Sequence, residues 1–294
     1  MYEAITSNRA KSYALVLLVV LLILGVGWAA SFYFKSTALI WAAAALSLLM
    51  SWVGYYYSDK IVLAMSGAHQ VTHEEEPHLH NVVEGLALAA GLPKPRLYVI
   101  EDTATNAFAT GRDPAHAALA VTRGLLDKMN RIQLEGVIAH EMSHVKNYDI
   151  RFMTLVSVMV GVVALLSDWM MRAMWWGGGR DREEKGGGGG IQAVLMVVAL
   201  VLMILAPIIA MLIQFAISRR REYLADASGA MLTRYPEGLA SALERLAADT
   251  EPLEAANKAT AHLYIVNPLK GGGLNSLFST HPPIEERVRR LREM

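Results

Sequence analysis

Residues 131–146 read RIQLEGVIAHEMSHVK, and inside them stand His140-Glu141-Met142-Ser143-His144. The run predicts a helix over Arg131–Lys146, with Ile132, Leu134, Val137, Ile138 and Met142 giving it an apolar side. At about 100° per residue, His140 and His144 lie only about 40° apart, one turn above the other. Two imidazoles aimed the same way make a bidentate nitrogen site for a divalent metal, and zinc is its usual occupant. Glu141 sits about 100° round from His140, where a carboxylate meets water on the metal rather than the metal itself. A general base for peptide hydrolysis needs that position. The competing reading is an amphipathic helix whose histidines merely cap a core.

A catalytic zinc needs a third protein ligand and one open position. The chain has no cysteine, so any metal sits on nitrogen and oxygen, and a disulfide framework, a thiolate cluster and a cysteine nucleophile are all excluded. Further along, in Arg219-Arg220-Arg221-Glu222-Tyr223-Leu224-Ala225-Asp226, Glu222 and Asp226 share a helix face at spacing four. One carboxylate can bind the metal while the other holds a ligand histidine by its free ring nitrogen. Taken alone, the pair reads equally well as solvated charges beside the arginines. Position favours the first reading: Glu222 follows the apolar run ending at Ile217, and His144 precedes the one starting at Phe152. Both groups then lie within roughly 8 to 12 Å of a span end.

Those apolar runs dominate the composition. Of 294 residues, 54% are hydrophobic and 18% charged, against about 25% charged in an ordinary soluble domain. Tyr13 to Phe34 is an uncharged stretch of 22 residues and Thr37 to Tyr57 one of 21, separated by Lys35 and Ser36. Each is long enough to cross about 30 Å of hydrocarbon, and so short a link makes them an antiparallel hairpin. A cleaved signal peptide is the alternative for the first, but its run exceeds the usual core of about 7 to 15 residues. A third, weaker span begins at Phe152. It ends near Asp168, Arg172 and the aromatics of Met170 to Trp176, which read as an interfacial belt. The fourth, Ile191 to Ile217, has 27 uncharged residues and a kinking Pro207. Between these two lies a glycine-rich connector, 177–190, without a phosphate-binding pattern.

The expected organisation follows: 1–58 a transmembrane hairpin, 59–150 the first part of a catalytic domain, 151–217 a second hairpin, and 218–294 the domain's second part. Four spans put both polar segments on one face of the bilayer. Eight basic residues flank the spans there, Arg9, Lys11, Lys60, Lys146, Arg151 and Arg219 to Arg221, against five opposite. The positive-inside rule puts the domain in the cytoplasm. The zero net charge gives no footprint for nucleic acid. Within the domain, Pro77 to Ala90 reads as a helix closed by Gly91, and Arg96 to Ile100, Asn106 to Thr110 and Ala117 to Thr122 as short strands. The class is α+β, a four-helix transmembrane region plus a mostly helical zincin-like domain with a small β-sheet. His69, His73, His78 and His80, interleaved with Glu74 to Glu76, read as a solvated acidic helix rather than a second metal site.

The sequence resembles the HtpX family of bacterial membrane zinc endopeptidases, related to the type I CAAX prenyl proteases. The likeness rests on Asn106-Ala107-Phe108-Ala109-Thr110-Gly111, on His140 to His144 with Asp149 following, on Glu222 to Asp226, on Thr280-His281-Pro282-Pro283, and on the order of the apolar spans. It implies that His140, His144 and Glu222 bind one Zn2+ per chain, that Glu141 is the catalytic acid/base, and that Asp226 and Asp149 support the ligands. It also implies that Asn106, Ala107, Phe108 and Ala109 form an edge strand pairing with extended substrate, and that His281 stabilises the oxyanion. The implied function is an inner-membrane, multi-pass zinc metalloendopeptidase with a cytoplasmic active site. It would hydrolyse misfolded or damaged membrane proteins under stress, through water activated at zinc and deprotonated by Glu141. A membrane-anchored adaptor or holdase that keeps zinc only to fold is the alternative. Glu141 speaks against it, since a structural site has no use for a base beside an open position.

Overall fold

A computed structural model describes residues 2–177, 219–256, 259–266, 268 and 282–294. Two long helices come first, α1 (Tyr2–Phe34) and α2 (Ala38–Tyr56), packed on each other. Among the described residues these are the two helices long and apolar enough to cross a membrane, over Ile5–Gly25 and Ala38–Tyr56. Their outward surfaces carry Leu17, Leu21, Trp28, Trp41, Leu48 and Trp52, all exposed, as lipid-facing side chains would be. α3 (Ser58–Met65) leads into β1 (His69–Gln70), then α4 (Pro77–Ala90), whose cap Gly91 adopts the left-handed conformation at φ 67°.

The sheet adds β2 (Arg96–Ile100), β3 (Ala107–Thr110) and β4 (Ala118–Thr122) in the order β1-β2-β4-β3. β2 and β4 run parallel, with Arg96 opposite Ala118; the β1–β2 and β3–β4 pairs are antiparallel. β3 is thereby an edge strand. After α5 (Arg123–Lys128) comes α6 (Arg131–Lys146), opened by a capping box in which Asn130 and Gln133 satisfy each other's backbone N–H. Then follow α7 (Asp149–Gly177), α8 (Arg219–Thr233), α9 (Pro236–Ala248) and α10 (Ile284–Arg292).

α6 lies at the centre. It packs against α4, β3, α8 and α9, and every residue from Gly136 to Val145 is buried. The expectation of one apolar side is corrected accordingly. Ile132, assigned to that side, is 51% exposed in the first turn, while His140, Glu141, Ser143 and His144 are buried with the apolar residues. Glycines set the spacing: a Cβ on Gly136 would stand 2.6 Å from the Leu239 nitrogen of α9, and one on Gly229 of α8 would stand 3.0 Å from the His140 nitrogen. These close approaches bring residues 219–233 against the histidine pair across a long excursion of chain.

Of the four expected spans, two are found among the described residues. The third expected span lies in α7, whose first turns belong to the domain: Ile150, Phe152, Met153, Leu155, Val156 and Val160 are buried in its core. The fourth span and most of the glycine connector fall outside the described residues. The acidic histidine segment is not a helix before Pro77; His69 is in β1, and residues 73–75 form a turn.

Candidate metal centre

His140, His144 and Glu222 form a buried group whose ligand atoms all lie within 4.8 Å of one another. The His140 Nε2 stands 3.7 Å from one oxygen of Glu222 and the His144 Nε2 3.6 Å from the other. Metal bonds of about 2.0 to 2.1 Å in a tetrahedron put ligand atoms roughly 3.3 to 3.4 Å apart, so the three side chains need little adjustment to share one ion.

The other ring nitrogens are spent. His140 Nδ1 lies 2.9 Å from Asp226 Oδ1, and His144 Nδ1 donates to Asp149 Oδ2 at 3.0 Å. With both Nδ1 atoms engaged by carboxylates, both Nε2 atoms face the Glu222 carboxylate. A buried carboxylate facing two ring nitrogens calls for a positive charge between them, supplied by a metal ion or, without one, by a proton on His144. The donor set of two imidazoles and one carboxylate, with carboxylates behind the imidazoles, fits a catalytic zinc.

Arg287, from α10, is fully buried beside this group. Its Nε donates to Asp226 Oδ2 at 2.8 Å and a terminal nitrogen to Oδ1 at 2.7 Å. That nitrogen also lies 3.4 Å from His140 Nδ1, and the other is 3.8 Å from Glu222. Against burial, the guanidinium and the His140 hydrogen bond hold Asp226 below the usual carboxylate range. Burial and the Arg287 cation lower His140, with Asp226 opposing. For His144, burial opposes the charge, but the Asp149 hydrogen bond and the Glu222 and Glu141 carboxylates outweigh it and raise the pKa to about 9. Glu141 is buried, and burial, reinforced by Glu222, pushes its carboxyl up to about 8. It accepts a hydrogen bond from the Ala109 backbone N–H of β3.

The structure therefore brings together His140, Glu141, His144, Asp149, Glu222 and Asp226, and sets β3 beside them. His281 lies outside the described residues. At the start of β3 one outward backbone group, the Ala107 carbonyl, is already engaged, and the side-chain amide of the preceding Asn106 is too. Ile265 N–H donates to the Ala107 carbonyl at 3.0 Å, and the Asn106 amide donates to the Val266 carbonyl at 2.9 Å. Tyr264 packs edge-on against Phe108 with ring centroids 5.1 Å apart. Residues 261–266 thus cover part of the edge expected to take substrate.

Arg287 escaped the sequence reading, being one of four arginines in a nine-residue helix; only its place between the buried Val288 and Leu291 side of α10 and the rest of the site distinguishes it. Arg221, counted with its neighbours among the basic residues flanking the spans, turns inward, 3.6 Å from Asp149 and over the Phe152 ring. Three of the histidines around the start of α4 have separate partners: His73 meets Asn81 at 3.2 Å, His80 in α4 meets the Val71 carbonyl at 3.1 Å, and His69 meets Glu101 at 3.6 Å.

Residues 73–294 match the model of peptidase family M48. A protease HtpX homolog of Dictyoglomus turgidum (strain DSM 6724 / Z-1310) is 50% identical over all of this chain and 94% of its own. One from Thermoanaerobacter pseudethanolicus (strain ATCC 33223 / 39E) is 47% identical, covering all of this chain and 98% of its own. Among solved structures, the crystal structure of S. mikatae Ste24p superposes with a TM-score of 0.50 at 18% identity, over 99% of this chain and 67% of the other. That likeness concerns the fold.

Proposed function

The chain belongs to peptidase family M48, among the HtpX proteases, and on that premise we propose that His140, His144 and Glu222 hold one zinc ion per chain and that Glu141 is the acid/base of peptide-bond hydrolysis. The enzyme is a membrane metalloprotease acting on polypeptides. The observation that carries the site assignment is the approach of both Nε2 atoms to the Glu222 carboxylate, at 3.6 and 3.7 Å, with both Nδ1 atoms engaged by carboxylates.

When bound, zinc supplies Lewis-acid polarisation of the scissile carbonyl and acidifies water. The protein does the rest. Asp226 and Asp149 fix the tautomer and ring direction of His140 and His144, so that Nε2 faces inward. Glu141 accepts a proton from the attacking water on its carboxylate, and the oxygen adds to the carbonyl carbon. As the C–N bond breaks, Glu141 returns that proton to the leaving nitrogen, so the enzyme ends in its starting protonation state. The Ala109 N–H holds the carboxylate at the β3 side of the site. We assign β3 the binding of extended substrate. Its position at the sheet edge beside Glu141 supports this, and a substrate strand would compete with Ile265 for Ala107. His281 is proposed for the developing oxyanion on the strength of the Thr280-His281-Pro282-Pro283 motif.

The proposed setting is the bacterial inner membrane, crossed several times, with residues 59–150 and 218–294 forming one cytoplasmic catalytic domain. Packing of α6 against α8 and α9 supports the joined domain, and the excess of basic residues supports the orientation. The proposed substrates are misfolded or damaged membrane proteins, reached because the site is tied to the bilayer by α1, α2 and α7. The test uses purified, detergent-solubilised protein and casein: Glu141→Gln should abolish cleavage while zinc content stays at one per chain. Unchanged cleavage would remove Glu141 from its role.

A further inference from the structure

The amino-terminal helix reaches the metal centre through one side chain. Asn8, Ser12 and Leu15 recur at helical spacing on the single buried stripe of the first turns of α1. Leu15 joins the apolar core. Asn8 does something different: its amide Nδ2 donates to Asp149 Oδ1 at 2.6 Å and to the Asn147 carbonyl at 3.0 Å. The other oxygen of Asp149 is the one that receives His144 Nδ1.

The local backbone explains why such a clamp is needed. Between α6 and α7 the chain reverses at Tyr148, whose φ of +60° lies in a region that bulky residues rarely adopt. This turn swings Asp149 back under His144. It is gripped from α1 a second time, by Arg9 at 4.3 Å over the Tyr148 ring, with Arg151 at 5.2 Å from the same ring. A buried carboxylate with one oxygen loosely held can rotate; Arg221 stands 3.6 Å from Oδ1, and the hydrogen bond that fixes this oxygen is the one from the Asn8 amide, which keeps Oδ2 aimed at the imidazole. Packing alone would be met by an apolar residue at position 8, whereas a donor facing a buried anion makes a charge-assisted hydrogen bond.

We propose that Asn8 is a positioning residue of the metal centre, fixing Asp149 and through it His144, so that the first turns of α1 complete the active site rather than only anchoring it. The inference rests on the zinc reading given above. It makes metal affinity depend on the docking of α1 against the α6–α7 turn.

The test uses the full chain in detergent, with zinc affinity measured by chelator competition and kcat and KM measured on casein at saturating zinc. Asn8→Ala should weaken zinc binding about 10-fold, the lower end of what loss of an outer-sphere partner costs, and lower kcat with little change in KM. Asn8→Asp, equal in size but without the donor and with a like charge beside Asp149, should lose at least as much. Leu15→Ala, which thins the same stripe without touching Asp149, should lower the melting temperature and leave zinc affinity within twofold. Wild-type zinc affinity in either Asn8 variant overturns the proposal, as does an equal loss in Leu15→Ala, which would make the effect one of general packing. A wild-type chain that binds no zinc overturns the metal reading itself, a separate and recognisable outcome.

Discussion

Arg287 grips Asp226 with two parallel hydrogen bonds, 2.8 and 2.7 Å long, with both side chains buried. Asp226 in turn stands 2.9 Å from the His140 ring nitrogen. The pair thus links the last helix, α10, to the metal-binding group. Breaking a buried ion pair from one side leaves the other charge uncompensated, at a cost of about 3 to 5 kcal/mol. Arg287→Ala should therefore lower the melting temperature strongly. Arg287→Lys should recover only part of it, because an ammonium cannot reproduce the two-pronged contact. Thermal unfolding of the three proteins decides this, and equal melting would show that the pair carries no stability.

At Gly136 α9 comes close against α6. A methyl group there would stand 2.6 Å from a backbone nitrogen and 2.8 Å from the Cα of Leu239, neither of which can rotate away. Gly136→Ala should cost about 1 to 3 kcal/mol through overpacking, although alanine is the better helix former. Gly229→Ala, with its nearest contact at 3.0 Å on the His140 backbone, should be milder in stability. It should also weaken zinc binding, because α8 carries Glu222. Unfolding curves and metal titrations of both variants check the order.

Much of this arrangement is legible in the sequence, and the reason lies in period and spacing. α6 runs Arg131–Lys146 and β2 Arg96–Ile100 as the pattern predicts. Capping residues, Gly91 and strand alternation are local signals. His140 and His144 share a face by helix geometry alone, and Glu222 and Asp226 do so for the same reason. Contacts that exist only in three dimensions are not legible in this way. Asn8 reads as a polar flank of a span, Arg287 as one surface arginine among several, and Ile265 as an ordinary apolar residue. Each takes its meaning from a neighbour 61 to 158 positions away. The apolar stripe of α6 misled for a related cause: a helix enclosed on all sides buries its polar residues too, and periodicity cannot report that.

Asp249 supplies a pH dependence outside the metal-binding group. Burial opposes its charge, but the Lys128 ammonium at 3.0 Å and the Thr105 N–H at 2.9 Å prevail and hold its pKa at about 2. Its pKa is thus lower folded than unfolded, where about 3.9 applies. The stabilisation is present above about pH 4 and is lost as pH falls from there toward 2. Asp249→Asn should reduce stability at neutral pH and flatten the acid limb of a plot of melting temperature against pH between about 4 and 2. A variant whose acid limb matched the wild type would remove Asp249 from this account.

Asn106 holds residues 261–266 against the sheet edge through Val266, at 2.9 Å from its amide. Asn106→Ala should increase hydrogen exchange at Ile265, whose N–H is bonded to Ala107, by freeing the segment locally. Exchange at the core of β2 should not change. Protection at Ile265 equal to that of the wild type would show that the segment is held by Tyr264 and its apolar neighbours alone.

The central claim is that three side chains, two from α6 and one from α8, share a single ion. Zinc content per chain, measured on wild-type protein and on Glu222→Gln after both pass through the same chelator wash, addresses it most directly. One zinc per wild-type chain and near-complete loss in the variant is the predicted result. A variant that keeps its full complement would contradict the claim and move the third ligand elsewhere.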